Sequence, residues 1–155
     1  MAGHRFDAQT SPSGQADGVE ARVMWVGDQK LMVAIKRTAS TRPPLLLFNG
    51  IGANWELAEP FLKALTNTTA IIFDLPGVGG SPLPALPYRP SGIARLSARL
   101  VADLGYDRID VAGVSWGGGM AQQLAHRRHA DIGTRTTCAE VHRKSTAVPL
   151  KKILR

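Results

Sequence analysis

The sequence has very little cysteine and no long apolar run, and both absences exclude whole classes of protein. Its 155 residues include a single cysteine, Cys138, so an internal disulfide framework is excluded. This cysteine content is typical of a reducing compartment and predicts a cytoplasmic location. No stretch approaches the roughly 18 apolar residues of a membrane-spanning helix. Residues 1–19 also lack the apolar region of a secretory signal.

Acidic residues are scarce relative to basic ones, but the imbalance is confined to one end of the chain. The net charge is +7, from 19 Lys and Arg against 12 Asp and Glu. Residues 1–125 hold 11 basic and 10 acidic side chains, whereas residues 126–155 hold 8 and 2. An argument from charge for nucleic-acid binding would rest on this tail alone, because the rest of the chain is nearly neutral. We therefore predict no nucleic-acid partner.

Composition and pattern divide the chain into three regions. Residues 1–19 are polar and rich in glycine and serine, and we expect them to be disordered. Residues 20–125 alternate strand patterns with helix patterns. Residues 126–155 form a basic tail without a run of four apolar residues, so they offer no candidate for a further buried strand.

The middle region predicts an α/β fold. Runs that predict strands are found at residues 21–27, 30–38, 45–48, 69–74 and 109–114. Patterns that predict helices are found at residues 54–65, 91–105 and 116–125. The first two strands form a hairpin, and strands and helices then alternate along the chain. This order predicts a mostly parallel sheet with helices on both faces.

Two of the predicted helices have recognisable ends. Pro60 is awkward inside a helix, so the first helix is expected to begin late or to kink. Ser91 and Gly105 are the expected N-cap and C-cap of the second helix. The apolar stripe expected to bury the first helix consists of Leu57, Phe61, Leu62 and Leu65.

The segment Gly113-Val114-Ser115-Trp116-Gly117 matches the G-x-S-x-G nucleophile elbow. In this motif a sharp turn from strand to helix lifts the serine hydroxyl clear of the sheet, and glycine at both outer positions avoids a clash. The helix N-terminus also offers free N–H groups to a developing negative charge. We predict that Ser115 is a nucleophile and that the Trp116 N–H is an oxyanion donor. The alternative is a serine that only caps a helix after a tight turn.

The segment NGIGAN, which follows the third predicted strand, has two interpretations. As an oxyanion loop it would supply a second donor, the N–H of Ile51. As a dinucleotide-binding turn it would be paired with Asp74 at the end of the next strand. The second interpretation fails where a small residue must allow close packing, because Trp55 stands there. We therefore favour the oxyanion loop.

Three segments, LLLFNGIGANWELAEPF, FDLPGVGGSP and GVSWGGGMAQQLA, resemble the α/β-hydrolase superfamily. Within it they are most similar to intracellular poly(3-hydroxyalkanoate) depolymerases, and the resemblance covers residues 44–125. It implies an ester hydrolase that acts through an acyl-enzyme on Ser115, with the N–H groups of Ile51 and Trp116 holding the oxyanion. It implies no metal and no cofactor, and its substrate would be an ester, including the surface of a polyester granule.

The resemblance also implies a catalytic acid and a histidine that follow the serine on later strand ends. Asp74 precedes the serine, so we expect it to be a structural residue. The tail offers only Asp131, Glu140, His126, His129 and His142 as candidates. No predicted strand is available to place them, and we expect that they do not complete a triad. The tail histidines and Cys138 also have a spacing that suggests a zinc site. No apolar residues surround them to support such a site, and we expect none.

These gaps predict that only the N-terminal half of the hydrolase domain is present, without the C-terminal strands and lid. Residues 20–125 would form this half, and residues 126–155 would be foreign to it. We expect such a chain to be impaired in catalysis and to self-associate or aggregate through an open sheet edge. A different α/β hydrolase that cleaves small esters, and an inactive fragment or interaction module, are the alternatives.

Overall fold

The structure, a computed structural model, describes residues 18–128 and 135–136. Its strands are β1 (Val19–Val26), β2 (Gln29–Lys36), β3 (Leu45–Phe48), β4 (Ala70–Phe73), β5 (Asp110–Gly113) and β6 (Arg135–Thr136). Its helices are a 3₁₀ turn (Trp55–Ala58), α1 (Glu59–Ala64), α2 (Pro90–Asp103) and α3 (Trp116–Arg128). In this part of the chain the strands form one sheet in the order β1-β2-β4-β3-β5-β6.

The sheet begins with the predicted antiparallel hairpin. Val26 pairs with Gln29, so β1 and β2 are joined by the two residues Gly27 and Asp28. Gly27 has a φ of +63°, a conformation that glycine adopts without the clash that a Cβ atom would cause. β2 then pairs antiparallel with β4 and connects the hairpin to the central strands.

The central strands β3, β4 and β5 are parallel, as predicted. β3 lies between the other two, with Leu46 opposite Ile71 on one side and Val111 on the other. All four residues of β4 are buried, which confirms a strand that is covered on both faces. The carboxyl ends of the three strands lie at one edge of the sheet, where parallel sheets bind their ligands.

Helices cover both faces of the sheet, which confirms the predicted α/β class. On one face, Leu100 of α2 and Leu124 of α3 pack with Leu46 and Ile71 in the larger apolar cluster. On the other face, Leu62 of α1 packs in a smaller cluster with side chains of β2, β3 and β4. No helix in residues 18–128 is both long enough and apolar enough to cross a membrane.

α2 ends where predicted, but neither predicted cap is the observed one: the C-cap is Leu104, and Gly105 is the residue after it. The helix begins at Pro90, so Arg89 and not Ser91 is the N-cap residue. Proline is favoured at a first helical position because its φ is already helical. An N–H group at that position would have no partner within the helix, so its absence costs nothing. At the other end Gly105 has a φ of +85°, and its N–H donates to Ala102 as in a Schellman motif.

The first helix begins late, as Pro60 predicted, but two of the four residues in its predicted apolar stripe are exposed. Pro60 lies in the first turn of α1, and the residues before it form the 3₁₀ turn. Leu62 is fully buried, whereas Leu57 and Phe61 are 73% and 47% exposed. The change from 3₁₀ to α geometry alters the angle between successive side chains, so the four apolar residues do not share one face.

A strand follows α3 where the sequence predicted none. β6 pairs in parallel with Asp110 and Val111 of β5, through two residues that are not apolar. Backbone pairing does not require an apolar side chain, which is why a search for apolar runs misses it. α3 itself extends to Arg128, three residues beyond its predicted end. The assignment of residues 126–155 to a segment outside the fold remains a prediction.

Candidate active site

Ser115 occupies the sharp corner between β5 and α3. Its φ is +55°, and among the described residues it is the only non-glycine residue with a positive φ. The turn is closed by the Gly117 N–H, which donates to the Val114 carbonyl, and by the Gly118 N–H, which donates to the Ser115 carbonyl, both at 2.9 Å. A serine in this region is strained, and such strain is typical of a nucleophile elbow. The Ser115 side chain is exposed.

The two elbow glycines are required by contacts between backbone segments. A Cβ atom at Gly113 would overlap the carbonyl group of Gly117. A Cβ atom at Gly117 would overlap the carbonyl groups of Phe48 and Asn49, at the end of β3. The turn is therefore packed against the next strand with no room for a side chain at either position.

The segment after β3, residues 49–54, lies directly beside the serine, and we name it the oxyanion loop. The Val114 N–H donates to the Phe48 carbonyl at 3.0 Å, which fixes the start of the loop against the elbow. A Cβ atom at Gly50 would lie 3.9 Å from the Ser115 Cβ atom. The loop thus approaches the serine through its backbone.

The role of the Ile51 and Trp116 N–H groups as oxyanion donors remains a prediction, and the structure shows what these two groups contact. In the described part of the chain, neither the Ile51 N–H nor the Trp116 N–H donates to another group. Trp116 is the first residue of α3, where N–H groups have no partner within the helix. The Ile51 side chain is 78% exposed, so the loop directs it away from the core.

Asp74 lies at the end of β4 and is almost completely buried. Its Oδ1 atom accepts the Trp55 N–H at 2.6 Å, and its Oδ2 atom accepts the Gly80 N–H at 2.9 Å. Burial raises the pKa of the Asp74 carboxyl above its usual value, because the two backbone N–H groups only partly offset desolvation. Both oxygens already hold backbone donors, so Asp74 is not placed as the ribose ligand of a dinucleotide site.

The Gly/Pro-rich segment after Asp74 forms a hydrogen-bonded turn. The Ser81 hydroxyl donates to the Asp74 carbonyl at 2.7 Å and accepts the Met32 N–H at 2.9 Å. It therefore bridges β2 and β4 where their direct pairing ends. Ser81 is a supporting residue that sequence reasoning missed, although it stands in the quoted segment FDLPGVGGSP.

No base for Ser115 is found in the described residues. No hydrogen bond joins the Ser115 hydroxyl to another group between residues 18 and 128 or at 135–136. The same residues contain no cluster of three His, Cys, Asp or Glu side chains that could hold a metal ion. His126 lies on α3 with its side chain outside the described set. The other tail candidates, His129, Asp131, Cys138, Glu140 and His142, lie outside the described residues altogether.

Large apolar side chains are exposed in the loops that leave this edge of the sheet. They are Ile51 after β3, Leu83, Leu86 and Tyr88 after β4, and Val114 beside the serine. We name these five side chains the apolar rim. Exposed apolar groups around a site are typical of surfaces that bind apolar ligands or another part of the protein.

Known proteins share both the sequence and the architecture of this chain. A model of the Alpha/beta hydrolase family matches residues 45–149, and thus includes most of the basic tail. A poly(3-hydroxyalkanoate) depolymerase of Ectopseudomonas oleovorans is 48% identical over 106 residues, which are 68% of this chain and 38% of the depolymerase. A soluble epoxide hydrolase of Corynebacterium sp. (strain C12) is 34% identical over 90 residues, 57% of this chain and 32% of that enzyme.

Solved structures agree with this comparison. A membrane phospholipase A superposes with a TM-score of 0.69 at 28% identity, over 83% of this chain and 43% of the phospholipase. An epoxide hydrolase from an endophytic Streptomyces gives 0.70 at 25% identity, over 79% and 37%. The chain thus spans less than half the length of each of these proteins. Its elbow, its sheet order and the match over residues 45–149 together show that the chain belongs to the alpha/beta hydrolase family.

Proposed function

We propose that this chain contributes the nucleophile and the oxyanion hole of a serine ester hydrolase of the poly(3-hydroxyalkanoate) depolymerase type. The observation that supports it most is the strained Ser115, exposed at a strand-to-helix corner between two glycines that cannot accept a side chain. A serine that only capped a helix would have no need for a positive φ.

In the proposed reaction the Ser115 hydroxyl oxygen attacks the ester carbonyl carbon, and its proton passes to a histidine base. The carbonyl oxygen becomes an oxyanion that accepts hydrogen bonds from the N–H groups of Ile51 and Trp116. Each such donor is worth about 3 kcal/mol in the transition state. The alcohol then leaves with the proton from the histidine, and water hydrolyses the acyl-enzyme to regenerate Ser115.

The chemistry of serine favours an ester over an epoxide as the substrate. Attack of a hydroxyl on an epoxide carbon would form an ether, which water does not cleave under mild conditions. Attack on an ester forms an acyl-enzyme, which water does cleave. Ester hydrolysis is therefore the better proposal, although one relative is named a soluble epoxide hydrolase.

The polyester is proposed as substrate on two grounds. The relative of 48% identity is named a poly(3-hydroxyalkanoate) depolymerase. The exposed side chains of the apolar rim also suit a water-insoluble acyl chain better than a small polar ester. A small-ester esterase is the alternative within the same chemistry, and an inactive fragment or interaction module is the alternative outside it.

Residues 1–155 by themselves are expected to hydrolyse esters negligibly. A serine hydroxyl is a weak nucleophile without an adjacent base, and the described residues place none beside Ser115. A fluorophosphonate probe, which needs the same activation, should leave Ser115 unlabelled in this chain.

A completed chain provides the direct test. Residues 1–125 would be joined to the part of the Ectopseudomonas depolymerase that follows its matched segment. We expect this chimera to release 3-hydroxy acids from polyester granules. Ser115→Ala should lower kcat by about 10⁴-fold or more, as removal of a serine nucleophile does in other hydrolases.

The matched control is Ser91→Ala, which removes a hydroxyl in the first turn of α2 and should leave kcat within about twofold. Parallel assays on a short acyl ester and an epoxide would separate the alternatives. A folded chimera whose turnover is the same with serine or alanine at position 115 would refute the proposal.

A further inference from the structure

We propose that Asp74 is a positioning residue for the oxyanion loop: its carboxylate fixes the backbone that presents the Ile51 N–H beside Ser115. The role of the Ile51 N–H rests on the proposed function, whereas the contacts of Asp74 do not. Asp74 would not touch the substrate and would act only through the loop.

The Asp74 carboxylate joins the end of the oxyanion loop to the central sheet. Trp55, the residue that follows the loop, donates its N–H to Oδ1 at 2.6 Å. The Asp74 backbone N–H donates to the Met32 carbonyl at 2.9 Å, so the residue itself continues the pairing of β4 with β2. The Asp74 side chain therefore fixes the Trp55 end of the loop relative to β4.

The loop has few other restraints. The Asn49 side chain donates to the Asn54 carbonyl at 2.6 Å, and the Ala53 N–H donates to the Gly50 carbonyl at 3.1 Å. The Ile51 N–H donates to no group in the described residues. A shift of the Trp55 end would therefore move Ile51 relative to Ser115, with little to oppose it.

The chemistry of the site explains why the residue is an aspartate. Two backbone N–H groups face the side chain from opposite loops, and a carboxylate accepts both. An asparagine would turn its NH₂ group toward one of them. A glutamate would need extra space that is absent, because a Cβ atom at Gly79 would already overlap Oδ2. The carboxylate is retained here although its burial disfavours the charged form.

The first test measures amide hydrogen exchange by NMR in the full 155-residue chain and in Asp74→Asn. We expect exchange at Ala53 and Trp55, whose N–H groups are hydrogen-bonded, to become about tenfold faster. The β3 and β4 amides of Leu46 and Ile71 should change by less than about threefold. Asp107→Asn, an exposed aspartate, is the matched control and should change neither set.

Equal acceleration in the loop and in the strands would mean that the variant is only less stable. No change in the loop would mean that Asp74 does not hold it. Either result would overturn the proposal.

The second test requires no substitution of Asp74. Amide shifts would be followed with pH in Glu56→Gln, because Glu56 is the charged side chain that acts on Asp74 in the described chain. The Trp55 and Gly80 amides should titrate together, with a pKa above the ordinary value of 3.8. The Ile51 amide should follow the same curve. Titration at Trp55 and Gly80 without any response at Ile51 would show a purely structural contact and refute the positioning role.

The two proposals can fail separately. Neither exchange nor amide shifts require Ser115 to react, and both should be the same in Ser115→Ala. An inactive chimera together with the expected exchange pattern would refute the proposed function and support the positioning role of Asp74. Unchanged amide exchange in the loop of Asp74→Asn would refute the positioning role, whether or not the chimera is active.

Discussion

At the scale of single residues, the site combines a strained serine with a buried carboxylate, and both features are unfavourable to stability. The φ of Ser115 lies in a region that disfavours any side chain. The Asp74 carboxyl is removed from water at the end of β4. Costs of this kind are typical of residues whose placement serves a reaction.

The backbone strain at Ser115 predicts that glycine stabilises the chain there. Ser115→Gly removes the Cβ atom that disfavours a positive φ, whereas Ser115→Ala removes only the hydroxyl. We expect the glycine variant to be more stable than the alanine variant by about 0.5–1 kcal/mol, after the entropy of glycine in the unfolded chain is included. Urea unfolding of the two variants would measure it. Equal stabilities would show that the corner is not strained.

Burial of Asp74 predicts a specific pH dependence of stability. The folded pKa is raised, so the folded state binds a proton more tightly than the unfolded state does. The contribution of Asp74 to the free energy of unfolding is therefore largest below the ordinary value of 3.8 and is lost as pH rises through the raised pKa. The difference in unfolding free energy between the original chain and Asp74→Asn should decrease across this window.

Urea midpoints at a series of pH values would give this difference. Asp107→Asn, at an exposed aspartate, is the matched control. A difference that grows with pH would contradict the stated sign.

At the scale of elements, α1 is held by one lysine as well as by its apolar face. The helix has six residues, and only Leu62 among them is buried. Lys36 of β2 donates through Nζ to the carbonyl groups of Lys63 and Leu65, at the end of this helix. Carbonyl groups there have no partner within the helix, and a positive charge is favourable beside them.

Lys36→Met should therefore destabilise the chain by about 2 kcal/mol, through the loss of two hydrogen bonds to a charged group. Lys30→Met on the same strand loses only the contact of its ammonium with the Trp25 ring, 5.0 Å away. We expect that control to cost less than about 1 kcal/mol. Similar losses in unfolding free energy for both variants would refute the role of Lys36.

Elements with strong local signals could be predicted, and contacts between backbone groups could not. The central strands and the elbow follow from apolar runs and from five residues around Ser115. The contacts of Asp74 join it to amides 19 residues before and 6 residues after it, and residue type does not encode where a backbone N–H points. β6 was missed for the same reason, since two polar residues pair through their backbone.

At the scale of the whole molecule, the β5 side of the sheet is only partly paired in the described residues. β6 pairs with Asp110 and Val111, so in the described residues the second half of β5 has no neighbour on that side. The chain also spans 38% of its depolymerase relative. We therefore expect residues 1–155 to self-associate through this edge.

Light scattering over a range of protein concentrations would measure the association. Co-expression with the C-terminal part of the Ectopseudomonas depolymerase should lower it, because strands from that part could pair with β5. A monomer at all concentrations would contradict this prediction.

The contact of Gly117 with the carbonyl groups of Phe48 and Asn49 also limits which positions near Ser115 can be substituted. Because backbone atoms set the spacing between Gly117 and the start of the oxyanion loop, no exchange of side chains at this contact can adjust it by small steps. Exposed positions such as Ile51, Leu83 and Val114 are not under this constraint. Libraries built at those positions should keep the fold, whereas changes at Gly113 or Gly117 should remove it.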